Sequence, residues 1–411
     1  MQRETDDLTP NKAATTWHRV LVIGGGNAGL SVAGRLRRQG VNDVAVVEPR
    51  EQHQYQPLFS HVAGGTARSR LAIRPQASVM PRGVAWIRDR VVDVRPDSDT
   101  VLLASGRELG YEHLVVCPGI QKDWDRVPGL PEAMASPSGA SNYEFGLATK
   151  ASRLLRDLKR GTVIFTQPAG PASCAGAAQK PMYLACDYWR AIGVLDDIRV
   201  VLVVPDPTIF GMSLIDQELD RKIAEYGVEL RSGSELVAVD AAARTAVIGR
   251  PDGHRESLTY DVLHAVPPQS APDWVKQTLL PATGDPGGFV EVDPETLRHP
   301  RFPNVWALGD AAATRNSKSG GALRKQTLVL ATNLSQVLAG KPVATRYDGY
   351  SVCPFTVSRS TVVFAEFDEH YQPKPTIPFW PGLARERRLA WVFDRHILPW
   401  VYWHLILKGR A

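Results

Sequence analysis

The stretch Thr166 to Tyr183 reads TQPAGPASCAGAAQKPMY and places Cys174 between an apolar run and a helical pattern. A thiol near the N-terminus of a predicted helix meets the positive end of the backbone dipoles. That favours the thiolate, and with it nucleophilic or redox sulfur chemistry. A second candidate, Cys353 in YDGYSVCPFTVSRSTVVFAEF, lies 179 positions further on, beside Pro354. The other two cysteines read as packing: Cys117 ends an apolar strand before Pro118-Gly119, and Cys186 sits on a predicted helix with Tyr183 and Trp189. Four scattered cysteines build no disulfide framework and show no metal-ligand spacing, so no metal is expected. A buried, inert thiol is the default for each of them.

A different kind of chemistry is written near the start. His18 to Gly40, HRVLVIGGGNAGLSVAGRLRRQG, is an apolar run meeting Gly24-Gly25-Gly26-Asn27-Ala28-Gly29 and passing into a helical pattern. Gly24 permits the tight turn, Gly26 lets a pyrophosphate approach the backbone, and Gly29 lets helix and strand pack closely. The N–H groups of Asn27 and Ala28 then open a helix whose dipole favours the anion. A strand follows, and Glu48 stands at its end, nineteen residues after Gly29, where a carboxylate can accept hydrogen bonds from both ribose hydroxyls of a dinucleotide.

The fingerprint alone does not choose between NAD and FAD. Far downstream RFPNVWALGDAAA, Arg301 to Ala313, is an apolar strand ending in Gly309-Asp310 before small residues that suit a helix start. An extended FAD needs such a second contact for its ribityl chain. The two motifs, about 280 residues apart, resemble the two-dinucleotide-domain flavoproteins of the glutathione-reductase-like fold, and that resemblance implies FAD.

The elements that must position these residues follow a strand-helix rhythm. At 411 residues, 44% hydrophobic and 22% charged, the chain suits two or three globular domains. The expected fold is α/β, with two Rossmann-like dinucleotide-binding domains and a C-terminal amphipathic segment. Residues 1–17 read as a loose leader and 18–120 as the first part of the FAD domain. Residues 121–285 form a second Rossmann-like domain, 286–340 return to the FAD domain, and 341–411 carry the second cysteine and a membrane-seeking tail. In the second domain the strand TVIFTQPAG runs into Pro168 and Pro171, which remove backbone donors, where an NADH-using relative would have a second glycine fingerprint. The net charge of +5 is too mild to suggest a nucleic-acid partner.

At this point one family is resembled closely, the sulfide:quinone oxidoreductases, in their type II, mitochondrial-like branch. The motifs are YQPL at Tyr55 to Leu58, LGYEHLVVCPGIQ, SCAGAAQKPMY, TIFGM, AVPPQSAPD, NVWALGDAA, and YDGYSVCPF with FAEFD. The resemblance implies that Cys174 and Cys353 form a redox disulfide beside the flavin. Hydrosulfide attacks it, Cys353 holds the persulfide, and the Cys174 thiolate passes two electrons on to FAD and a quinone, ubiquinone or menaquinone. A small nucleophile such as sulfite or a thiol takes the sulfane sulfur. The resemblance also assigns Gln56, Gly119 and Lys318 to the cofactor, the last as a charge that steadies the reduced flavin. Two departures stand out. Gln179 and Lys180 occupy the place of an acid found in other branches, which leaves the proton-handling residue unassigned, and nothing matches a covalent flavin link, so FAD is expected to be bound non-covalently.

Four of the ten tryptophans fall in residues 380–411, where arginines and lysines interleave with aromatics and leucines. The apolar run ILPWVYWHLIL is too short to span a bilayer but suits an interfacial segment, bent at Pro399. The alternative is a pair of helices docked on the protein's own core or at a dimer interface. A peripheral membrane location follows, on the cytoplasmic side of a bacterial plasma membrane or on the inner mitochondrial membrane of a eukaryote, with a homo-oligomer left open. Two rival functions share these features: an NADH:quinone oxidoreductase of the same fold, and a non-catalytic flavin redox sensor.

Overall fold

The computed structural model describes residues 15–376 and 384–411. Its central sheet is built from runs such as VLVI and VAVV, buried on both faces as a parallel sheet demands. Thr16–Ile23 lies between Val44–Val47 and Glu108–Val116, parallel to both, and Ala85–Ile87 adds to the far edge. Glu108–Val116 is shared. Its first residues pair antiparallel with Thr100–Leu103, which forms a hairpin with Val91–Arg95. Its last residues pair parallel with Val305–Ala307, so a strand from late in the chain ends beside the first glycine turn.

A second sheet is wholly parallel, in the order Gly139–Ala140, Val262–His264, Gly161–Thr166, Ile198–Val203, Glu229–Arg231. An antiparallel meander, Glu235–Asp240, Thr245–Gly249 and Arg255–Thr259, packs beside it through Leu236, Val239, Ala246 and Ile248. The hairpin Ser351–Thr356 with Val362–Phe367 is held by the pair Cys353 and Ala365 and buries Phe355, Val357, Val363 and Phe367 in the same core as Cys186 and Trp189. The hairpin thereby brings late residues to the second sheet.

The alternative of helices docked on the protein's own core holds for one face of the tail. Tyr402, Trp403 and Leu407 are buried in the core of the first helix, Asn27–Arg38. The opposite face is bare: Leu389 is 74% and Trp400 56% exposed, with Val392, Phe393 and Ile397 also open. Pro399 does not break the segment. It lies in the first turn of Leu398–His404, where its missing N–H costs nothing, directly after a π-helical turn, Phe393–Ile397. Trp380 lies outside the described residues. No described helix is long and apolar enough to cross a membrane.

Candidate active site

The first glycine turn is built as its spacing requires. Gly24 has φ +100°, and a Cβ there would fall 2.4 Å from the carbonyl oxygen of Cys117. A Cβ on Gly29 would meet the Gly24 carbonyl. Gly26, in contrast, faces open space at the helix N-terminus, the room a pyrophosphate needs. Asn27 starts the helix and accepts the Ser31 hydroxyl, and Ala28 follows it inward. Glu48 is buried; one oxygen accepts the Gly25 N–H at 2.8 Å and the other the Arg50 N–H at 2.8 Å, which aims the carboxylate at the turn.

The downstream motif reaches the same place. A Cβ on Gly309 would lie 3.5 Å from that of Ala28. Asp310 beside it is half-buried, and burial pushes its carboxyl up against the opposing pull of Ser173, Lys318 and Lys122. Gly119 also faces open space, with φ +85°, while Gln56 is exposed at the start of Pro57–Ala63. An open glycine cradle, a strand-end acid and a second Gly-Asp turn against it fit an extended FAD.

Lys318 is not a surface lysine. It is 8% exposed, and its Nζ donates to the carbonyls of Asp310 and Ala312, both at 2.9 Å, above the Phe289 ring. Burial lowers its pKa to about 8 despite Asp310 and Asp285.

The two cysteine sulfurs lie 3.5 Å apart as free thiols. Cys174 is tied to the segment after Gly309-Asp310 through its backbone, its N–H donating to the Lys318 carbonyl at 2.7 Å. Its φ is +50°, a left-handed conformation that costs a non-glycine residue free energy. The Tyr143 hydroxyl helps to hold it, lying 2.9 Å from the Ser173 carbonyl and 3.1 Å from that of Cys174. Gly176 explains the C-A-G pattern: a Cβ there would come within 2.7 Å of the Cys353 sulfur and closer still to the Phe355 ring. Only a glycine lets the two segments meet.

The source of the thiolate preference differs from the sequence-based expectation. Cys174 caps a single 3₁₀ turn, Ala175–Ala177, and the helix Lys180–Ala191 begins only later, so Cys174 is not in the first turn of that helix. Instead the hydrogen bond from Cys353 pulls the Cys174 pKa down to about 6, against burial and with help from Lys180. Cys353 is correspondingly pushed up, first by that bond and then by burial. Lys180 is 5% exposed; burial opposes its charge, yet Cys174, Cys353 and Asp394 outweigh it and its pKa rises. Burial pushes up both Cys117 and Cys186, in keeping with packing roles.

Two side chains have partners that the sequence did not disclose. Gln179 is fully buried and fills the turn after Gly161–Thr166: its Nε2 donates to Gln167 Oε1 and to the Ile209 carbonyl, and its Oε1 accepts the Tyr183 hydroxyl. That turn carries Pro168, Pro171 and this buried amide in place of a second glycine fingerprint. His61 pairs with Asp394 of the tail, Nε2 to Oδ2 at 3.0 Å, and with Thr66 through Nδ1 at 2.9 Å, although His61 and Asp394 are 333 positions apart. In the sequence the histidines of QHQYQPLFSHVAGG read equally as groups that serve the flavin or as plain packing.

Residues 18–333 match the model of the pyridine nucleotide-disulphide oxidoreductase family. The chain is 36% identical to the mitochondrial sulfide:quinone oxidoreductase of Mus musculus, over 96% of this chain and 88% of that protein. It is 34% identical to the mitochondrial sulfide:quinone oxidoreductase of Dictyostelium discoideum, over 95% and 86%. The sulfide:quinone oxidoreductase structure from Aquifex aeolicus superposes with a TM-score of 0.82 at 17% identity, covering 96% of this chain and 92% of that one. This chain belongs to the pyridine nucleotide-disulphide oxidoreductase family, among its sulfide:quinone oxidoreductases.

Proposed function

We propose that this chain oxidises hydrogen sulfide to the sulfane level and delivers the electrons to a quinone, with Cys174 and Cys353 as its redox pair. The observation that carries this is the 3.5 Å between two sulfurs 179 positions apart, one of them hydrogen-bonded through its backbone to Lys318. In the oxidised pair, hydrosulfide attacks Cys353. A bond forms between the incoming sulfur and Cys353, the Cys174–Cys353 bond breaks, and Cys174 leaves as a thiolate. The incoming sulfur is oxidised by two electrons and the disulfide is reduced by two. Cys174 is the better leaving group because its pKa is the lower.

A small nucleophile, sulfite or a thiol, then attacks the outer sulfur of the persulfide and carries it away, leaving Cys353 as a thiolate. The two thiolates close again to a disulfide and give up two electrons. Gly24, Gly26, Gly29, Glu48, Gly309 and Asp310 would hold FAD, which would supply the two-electron acceptor between the thiolates and quinone. Lys318 offers a fixed positive charge for the reduced cofactor, and Lys180 favours the Cys174 thiolate. The tail presents Leu389, Val392, Phe393, Ile397 and Trp400 to a membrane surface, where a lipid-dissolved quinone is met.

NADH is disfavoured as donor because Pro168 and Pro171 remove backbone donors from the turn where a second pyrophosphate would be held. Anaerobic mixing tests the choice. Sulfide should bleach the flavin within one turnover and sustain quinone reduction over many, while NADH leaves the flavin oxidised. Cys174→Ser and Cys353→Ser should each abolish bleaching by sulfide with FAD still bound. Bleaching by NADH alone would reverse the donor, a single reduction without turnover would make the protein a sensor, and full turnover in Cys174→Ser would return both cysteines to packing.

A further inference from the structure

A cleft of about 600 Å³ opens where the loop after Pro57–Ala63 meets the helices Phe145–Asp157 and Lys180–Ala191, the hairpin turn and the tail. Five arginines line it, Arg68, Arg70, Arg156, Arg359 and Arg395, and no carboxylate does. Arg359 is held by carbonyls, donating to Gly64 at 3.0 Å and to Gly65 at 3.4 Å, and Arg395 donates to Thr66 at 3.0 Å. Carbonyl bonds fix these guanidiniums without neutralising them. Asp394, next to Arg395, is turned inward to His61 and is 11% exposed. Arg156 has an ion pair at 3.5 Å with Asp157, but both side chains are mostly exposed, so the pair is weak. Arg68 and Arg70 are exposed and have no carboxylate partner among the described residues.

The margin of the cleft is apolar. Leu71, 45% exposed, lines it, and Arg395 is flanked along the tail by Phe393 at 42% and Ile397 at 44%. A soluble anion has no use for that margin, whereas a lipid needs both parts: guanidiniums that pair with phosphate oxygens in forked geometry, and a greasy rim for acyl chains. We infer that the arginine cleft seats the phosphate headgroup of an anionic membrane lipid, with the acyl chains lying against Leu71, Phe393 and Ile397. This rests on the tail facing a membrane, and it adds a lipid class and a fixed docking point.

The test is co-sedimentation of the full-length, FAD-loaded protein with vesicles of phosphatidylcholine alone or mixed with phosphatidylglycerol. Wild-type protein should prefer the mixed vesicles in a salt-sensitive way. The triple variant Arg68→Ser, Arg70→Ser, Arg156→Ser should bind them on the order of a hundred-fold more weakly. Its binding to phosphatidylcholine and its sulfide-dependent reduction of a water-soluble quinone should stay unchanged. Equal affinity of variant and wild type for the mixed vesicles would overturn the headgroup site. So would binding of glycerol phosphate, lost in the variant while vesicle binding persists, since the ligand would then be a soluble anion. Failure of wild-type protein to oxidise sulfide would overturn the functional reading itself, an outcome the vesicle assay does not touch.

Discussion

At the scale of the residue, Cys174 and Cys353 are unequal thiols. One sulfur receives a hydrogen bond and feels Lys180; the other donates that bond from a buried position, 1% exposed. The inequality gives the pair a direction, because exchange expels the more acidic thiol. In the reduced protein, alkylation of Cys174 by iodoacetamide should therefore rise through pH about 6, well below the range of an ordinary thiol. Lys180→Met removes a positive neighbour and should move that rise to higher pH. Rates followed by mass spectrometry across pH would decide it. A rise near pH 9 in wild-type protein would mean that the pair does not polarise its members as the geometry requires.

At the scale of the element, the tail is held by backbone contact with the first helix. A Cβ on Gly34 would lie 2.9 Å from the Lys408 carbonyl carbon, and one on Gly409 would lie 2.2 Å from the Arg35 nitrogen. Lys408 adds bonds to the carbonyls of Val79 and Met80, and Arg35 bonds the Ala411 carbonyl. Gly34→Val should overpack this contact at a cost of about 1–3 kcal/mol. Amide exchange in residues 398–411 should speed up while the central sheet keeps its protection. Unchanged exchange would show that side chains such as Tyr402, not the close backbones, hold the tail. This contact also marks the limit of what the sequence discloses. The glycine fingerprint and Glu48 were legible because a turn, a helix start and a strand end each impose a local spacing. The meeting of Cys174 with Cys353 was available only through family resemblance, since the register of the Ser351–Thr356 hairpin and the close approach at Gly176 bring them together. Gln179 with Ile209, His61 with Asp394, and Gly34 with Gly409 depend on packing between segments separated in the chain, and no periodicity encodes that.

At the scale of the whole molecule, buried histidines tie distant parts together and set the acid limit of stability. His53 sits 3.1 Å from the Gly25 carbonyl and 2.6 Å from the Tyr402 hydroxyl, joining the first glycine turn to the tail. His264 accepts the Asn142 N–H at 3.0 Å in the second sheet. Burial pushes both rings down from 6.5 to about 4, and it lowers His113 and His299 as well. Between those two pH values an unfolded chain binds protons that the folded one refuses, so stability falls as pH drops through the window. The loss is on the order of 3 kcal/mol for each of the two rings once pH reaches about 4. Set against a total of roughly 5–15 kcal/mol, that is a large share. Urea midpoints should therefore decline steeply from pH 7 to about 4.5. The double variant His53→Gln, His264→Gln should begin lower at pH 7 and decline more gently, because an amide keeps some of the hydrogen bonds but takes up no proton. A variant slope as steep as that of the wild type would place the acid sensitivity in the carboxylates instead. The link between glycine turn and tail would then have no part in it.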